Sequence, residues 1–146
     1  MKYRSGSPGR IFIVRFEDED DVLKGIEQVV VENEVRAAYV VLVGGMKAGD
    51  FVVGPEDETM PPKPMWRKLA ESHETLAIGT IFWDEEKPRV HLHGAFGKAD
   101  SVKVGCLRQD SKAFLVLEAI ITEIEGVEIR RTLDPGSGMV LLSMES

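Results

Sequence analysis

Two histidines and one cysteine are the residues of this sequence whose types and spacing suggest metal chemistry. His91 and His93 are one residue apart, and twelve residues separate His93 from Cys106. Side chains alternate between the two faces of a β-strand, so a strand here would place both imidazoles on one face. Two imidazoles and a thiolate suit zinc and leave one tetrahedral position open for water or a small ligand. The spacing therefore predicts a site for zinc, or for another divalent metal, at His91, His93 and Cys106.

The same three residues allow two other interpretations. A lone cysteine is most often a small buried hydrophobic residue, and a His-x-His pair on a strand can be incidental. Cys106 and one histidine could also form a nucleophile with its general base, although this leaves the second histidine unexplained. The residues alone leave these alternatives open.

A strand and its return strand would bring the three residues together. Val90, Leu92 and Phe96 fall on the face opposite the histidines, where they can pack in a core. Residues 101–107 predict the return strand of a hairpin, which would place Cys106 beside the two imidazoles.

The rest of the chain predicts one helix and a sheet of about seven strands. Residues 20–33 carry apolar side chains at helical spacing, after an acidic run that can cap the helix N-terminus. Gly44–Gly45 is predicted to end the buried strand that begins at Ala37. Besides the return strand, the predicted strands cover residues 10–16, 37–43, 75–83, 89–96, 113–123, 127–133 and 139–142. The sequence thus predicts an α/β (α+β) fold in a single domain, 1–146, with the helix packed on a central mixed or antiparallel sheet.

Composition and charge exclude several classes of protein. The chain has 18 basic and 25 acidic residues, and its formal charge of -7 argues against a domain that wraps duplex nucleic acid. One cysteine cannot form an internal disulfide, which excludes a secreted disulfide scaffold. The first residues lack the apolar core of a signal peptide, and no run approaches the roughly 20 apolar residues of a membrane span. We therefore expect a cytoplasmic protein with no membrane association.

The residues described so far resemble the PPC domain family, which occurs in plants and prokaryotes and is attached to AT-hook segments in plants. The resemblance runs from Arg10 to about Leu142. Its most specific feature is His91-Leu92-His93-Gly94. Its other features are the strand after Arg10, Leu42-Val43-Gly44, Glu74 through Ile81, Val104-Gly105-Cys106-Leu107, Arg131 through Asp134, and Gly138.

The resemblance implies a fold, an assembly and a ligand set. It implies an α/β domain with a central sheet that commonly assembles as a homotrimer. It also implies metal binding in prokaryotic members, through histidines of a His-Leu-His motif and a Gly-Gly-His-Leu motif. At the second motif this chain reads Val-Gly-Cys-Leu, so Cys106 stands where a third histidine is expected. A thiolate binds zinc at least as naturally as an imidazole does.

Further residues could contact a small-molecule ligand beside the metal. His73 could be a fourth metal ligand or a general base, and its simpler interpretation is a surface histidine. Glu74 could accept a proton or support a metal ligand, or it could be a charge at a strand end. Arg131 and Arg108 could bind an anionic ligand, and a solvated surface charge is the simpler interpretation of each.

Three functions are compatible with this sequence. The first is a metal-binding protein whose open site binds or acts on a small molecule. The second is a non-enzymatic, homotrimeric assembly or regulatory module, which the resemblance suggests. The third is DNA binding, which rests on the resemblance alone and lacks an AT-hook in this chain. We rank the three in this order, and no particular reaction is predicted.

Overall fold

The computed structural model describes residues 1–144, and the last two residues of the predicted domain, 145 and 146, lie outside it. Over this range the chain forms eight strands and one helix. In chain order they are β1 (Ser7–Glu17), α1 (Val22–Glu32), β2 (Ala37–Pro55), β3 (Pro64–Leu69), β4 (His73–Trp83), β5 (Pro88–Lys98), β6 (Ser101–Glu125), β7 (Arg130–Asp134) and β8 (Met139–Ser143).

Six of these strands form one antiparallel sheet, in the order β1-β6-β5-β4-β2-β3, and β7 pairs with β8 in a second sheet. The long strand β6 pairs with β5 through its first half and with β1 through its second half, while β2 pairs with both halves. Between the halves, Asp110 and Leu115 have left-handed backbone, with φ of 53° and 58°. Irregularities of this kind bend a strand, so the sheet curls around β6.

The helix α1 covers one face of the sheet, as the sequence predicts. The Asp21 carboxylate caps the helix by accepting a hydrogen bond from the backbone N–H of Lys24 at 3.2 Å. Val22, Ile26 and Val30 recur at helical spacing and are fully buried. They pack into a core of strand residues that includes Leu42, Met46, Phe51, Leu92, Phe96 and Leu107. Among residues 1–144, no helix is both long and apolar enough to cross a membrane.

The strand β2 does not end at Gly44–Gly45, contrary to the prediction, and continues to Pro55. Gly44 has a φ of 137°, and a Cβ atom at this position would lie 2.6 Å from the carbonyl oxygen of Val116. Only glycine tolerates both this backbone angle and this approach. The glycines therefore let β2 pass close to β6 rather than turn away from it.

Two further differences from the predicted elements concern β6 and β3. Residues 101–107 and 113–123 are predicted as separate strands but belong to one strand, because the polar residues between them stay paired with β2 through register shifts. The edge strand β3 has no apolar alternation that would reveal it, and it pairs only with β2.

The face of the sheet opposite α1 is apolar and exposed. Directly paired residues of antiparallel strands share a face, so Leu76 and Ile78 lie beside Val43 and Val41 of β2. We call this surface the open face; its exposed apolar residues are Ile13, Val41, Val43, Leu76, Ile78, Val102, Val104 and Ile120. The β7–β8 hairpin reaches one end of this face, where Arg131 Nη2 donates a hydrogen bond to Thr80 Oγ1 at 3.2 Å.

A charged pair joins β1 to β6. The Glu123 carboxylate accepts hydrogen bonds from Arg10 Nε at 2.7 Å and Arg10 Nη2 at 3.0 Å. The Arg10 backbone N–H donates a third, at 3.2 Å. The guanidinium hydrogen bond is the main reason that the pKa of Glu123 lies below its ordinary value.

We expect Glu123→Gln to lower the free energy of unfolding by about 1 kcal/mol at pH 7. A lowered pKa stabilises the fold fully above the usual glutamate pKa of about 4.3, and the effect is lost as pH falls through the folded-state value. The difference between wild type and variant should therefore shrink near pH 3. Chemical denaturation at both pH values measures it, and an equal difference at pH 7 and pH 3 would contradict this assignment.

Candidate metal centre

The strand β5 carries the two histidines on the face opposite the core. Leu92 and Phe96 are fully buried, whereas His91 is half-buried and His93 is exposed. In the register of β4 with β5, His91 lies opposite Thr80 and His93 opposite Ile78. The alternation predicted from the sequence is confirmed.

A tight hairpin returns the chain so that Cys106 lies directly opposite His93. The turn consists of Ala99 and Asp100, and Ala99 adopts left-handed backbone with a φ of 50°. Cys106 is only 4% exposed. The residue before it is Gly105, where a Cβ atom would lie 2.6 Å from the Val52 carbonyl oxygen. Gly105 therefore allows β6 to pack tightly against β2 next to the position of the Cys106 thiol.

The donor atoms of the three side chains converge. The Nε2 atoms of His91 and His93 are 3.0 Å apart, a contact in which one imidazole N–H donates to the other ring. All three donor atoms, including Cys106 Sγ, lie within 4.8 Å of one another. Two nitrogen ligands of a tetrahedral zinc ion are about 3.3 Å apart, given Zn–N distances of 2.0–2.1 Å. The two imidazoles therefore lie close to the spacing of two zinc ligands, and the thiol is near enough to complete the set.

The electrostatic surroundings keep His91 neutral. Burial lowers the pKa of His91 to about 4, with smaller contributions from Arg131, His93 and Arg108. Burial also raises the pKa of the Cys106 thiol, and the charges of Arg108 and Arg131 partly oppose this effect. A neutral imidazole is ready to bind a metal, whereas the thiol must first lose its proton.

A cleft opens beside His91, where β5 and β6 separate. Their pairing ends at Leu92 and Leu107; β5 then continues beside β4 alone, while β6 turns toward β2. The space between them is a cleft of about 590 Å³. Its walls include His91, Leu107, Arg108, Arg131, the first turns of α1 and residues 139–141 of β8.

The structure brings together the predicted metal ligands and Arg131, but not His73 and Glu74. Arg131 is buried and interacts electrostatically with His91 and Cys106. His73 is buried on the core side of β4, where its Nδ1 lies 2.7 Å from the Glu71 carbonyl oxygen. Glu74 lies on the open face, four residues and about 13 Å along β4 from the position opposite His93. Contact of His73 and Glu74 with a ligand stays a prediction.

Two parts of this site have no counterpart in the sequence analysis. Thr80 positions the Arg131 guanidinium, and residues 139–141 form a wall of the cleft. The alternation of β4 reveals that Thr80 shares a face with Ile78. No local pattern reveals that the β7–β8 hairpin folds back onto that face.

The sequence model of the Plants and Prokaryotes Conserved (PCC) domain family matches residues 3–125 of this chain. The chain belongs to this family. The match confirms the resemblance to the PPC domain that the His-Leu-His element and its companion motifs indicate, and it includes all three candidate metal ligands. No curated protein matches the PCC chain in sequence.

Solved structures share the fold of this PCC domain over nearly its whole length. A metal-containing protein from Archaeoglobus fulgidus is 24% identical, with a TM-score of 0.84 over 97% of this chain and 98% of its own. A plant- and prokaryote-conserved (PPC) protein from Pyrococcus horikoshii is 22% identical, with a TM-score of 0.85 over 100% and 99%. A candidate DNA-binding protein from Ralstonia eutropha is 20% identical, with a TM-score of 0.77 over 91% and 90%.

Proposed function

We propose that this PCC domain binds one divalent metal ion, best fitted by zinc, through His91, His93 and Cys106, and presents it to a small molecule. The observation that carries the proposal is the convergence of three donor atoms within 4.8 Å of one another. The description of the Archaeoglobus fulgidus relative as a metal-containing protein supports it.

The donor set favours zinc over a hard cation. Imidazole and thiolate ligands suit zinc, whereas magnesium and calcium are bound through oxygen atoms. Three protein ligands leave one position of a tetrahedral ion for water or a small molecule, which is the pattern of catalytic rather than structural sites. Since His91 lines the cleft, a molecule that enters the cleft reaches one of the three metal ligands.

Each residue has a distinct part in this proposal. His91 offers a nitrogen that stays unprotonated well below neutral pH. Cys106 gives up its thiol proton on binding, and the positive charges of Arg108 and Arg131 favour the thiolate. A bound zinc ion supplies Lewis acidity, which polarises a carbonyl group or lowers the pKa of water.

Cobalt(II) substitution tests the ligand set. Tetrahedral coordination intensifies the visible absorption of cobalt, and a thiolate ligand adds a charge-transfer band in the near ultraviolet. We expect both features at one equivalent of cobalt, and we expect Cys106→Ser to lose the charge-transfer band. Weak absorption typical of six oxygen or nitrogen ligands, unchanged in the variant, would contradict the proposal.

The open face favours a second role, self-association. Leu76 and Ile78 are 67% and 63% exposed at the centre of a contiguous apolar surface. Contiguous exposed apolar patches mark interaction sites, because burying them gains free energy. A homotrimer, as the resemblance implies, would cover this surface. The metal ligands lie on this same face, with His93 opposite Ile78, while His91 also lines the cleft. The two roles are therefore compatible if the ligand enters through the cleft.

DNA binding is not part of the proposal. The Ralstonia eutropha relative is described as a candidate DNA-binding protein, but this chain carries a net charge of -7. Duplex binding draws much of its affinity from phosphate neutralisation by basic side chains.

A further inference from the structure

Arg131 carries a buried guanidinium whose hydrogen-bonding capacity is only partly used. The residue is 8% exposed, and its Nη2 donates a hydrogen bond to Thr80 Oγ1 at 3.2 Å. Its Nε is buried and has no hydrogen-bond partner among the described residues. A buried charged group without partners is costly, so such a group usually serves an interaction that is made on binding.

A second arginine reinforces this positive charge. Arg108 follows Cys106 by two residues, is exposed, and lines the same cleft as Arg131. Over residues 1–144, no ion pair joins either arginine to a carboxylate, whereas the neighbouring Arg89 pairs with Asp84 at 2.6 Å.

Three acidic residues, Asp21, Glu27 and Asp110, line the cleft, and among residues 1–144 none of them forms an ion pair with Arg108 or Arg131. Asp21 accepts a hydrogen bond from Ser111 and pairs with Lys24 at 3.2 Å. Glu27, on the same helix, interacts electrostatically with Lys87 and Arg89. The four basic residues of the cleft, Lys24, Arg89, Arg108 and Arg131, outnumber its three carboxylates, so a divalent ion with a Cys106 thiolate would leave the site with a net positive charge.

We propose that the cleft binds a small oxyanion, a carboxylate or a phosphate group, whose oxygens are held by the guanidinium groups of Arg131 and Arg108. This inference deepens the proposed function and rests on it for the approach of the ligand to the metal. Planar guanidinium groups recognise carboxylate and phosphate oxygens through charge-assisted hydrogen bonds. Both arginines line the cleft, and the incomplete hydrogen bonding of Arg131 leaves its guanidinium ready for this contact.

Titrations with inorganic phosphate and with succinate test the inference. Binding is measured by calorimetry and by the shift of the Arg131 Nε–H signal in NMR spectra, on protein of known zinc content. We expect at least one anion to bind in the millimolar range or tighter and to shift that signal. Arg131→Met and Arg108→Gln should each weaken binding by about 10- to 100-fold. The anion that wild type binds more tightly in an arginine-dependent manner is the class that the site prefers.

Arg130→Met provides the matched control, because Arg130 is the exposed neighbour on β7 and should leave binding within about twofold. Arg108→Gln keeps the test decisive if Arg131→Met does not fold, since Arg108 is exposed. Zinc-loaded protein that binds neither anion at about 10 mM, or binds equally without the two arginines, overturns the inference and leaves the metal proposal standing. Arginine-dependent anion binding by a protein that takes up no zinc supports the inference and contradicts the metal proposal.

Discussion

Replacing His91 by glutamine is expected to weaken zinc binding by at least about 100-fold. Removing a residue that merely hydrogen-bonds a metal ligand already lowers metal affinity by about 10- to 100-fold, and His91 would be a ligand itself. His91 supplies one of three converging donor atoms and lies at the wall of the cleft. Competition with a chromophoric chelator at pH 7 measures the affinity.

The chain offers a matched control for this substitution. It has three histidines, and His73 is buried at the other end of β4, beside the Glu71 carbonyl oxygen. His73→Gln should leave the zinc affinity within about threefold of wild type while lowering stability modestly. Equal zinc affinities of wild type and His91→Gln would contradict the assignment of His91, and a large loss in His73→Gln would make His73 a ligand.

Replacing Leu76 by glutamate is expected to break the proposed oligomer. Leu76 is 67% exposed on the open face and lies opposite Ala95. Burying a leucine contributes about 1.5–3 kcal/mol, and an unpaired carboxylate in an apolar interface costs more. Light scattering should show a wild-type trimer and a monomeric variant at micromolar concentration.

A charge reversal on the helix side provides the control for Leu76→Glu. Lys24 is exposed on α1, across the sheet from the open face, and Lys24→Glu should leave the oligomer intact. A wild-type chain that is monomeric at millimolar concentration would contradict self-association through the open face. A Leu76→Glu variant that keeps the wild-type mass would place the interface elsewhere.

The metal ligands could be predicted because their placement depends on local rules. Strand alternation alone puts His91 and His93 on one face, and a two-residue hairpin turn brings Cys106 into register with His93. The helix α1 could also be predicted from the sequence, because Val22, Ile26 and Val30 recur at helical spacing and an acidic residue caps its N-terminus. The PCC resemblance added the expectation of a trimer, which stays a prediction.

The cleft and its charges could not be predicted, because they depend on contacts between distant parts of the chain. The cleft exists because β6 leaves β5 after Leu107, and this path depends on irregular backbone at Asp110 and Leu115. Non-glycine residues with positive φ carry no reliable sequence signal. The sequence also does not give the distance of Glu74 from the site, which is about 13 Å along β4 because a strand rises about 3.3 Å per residue.

The most direct test of the proposed function is the metal content of the wild-type chain, purified without a histidine tag and freed of excess ions after incubation with zinc. If His91, His93 and Cys106 form the site, elemental analysis will find close to one zinc ion per chain. A folded protein that retains no metal would contradict the proposal and reduce the three residues to ordinary members of β5 and β6.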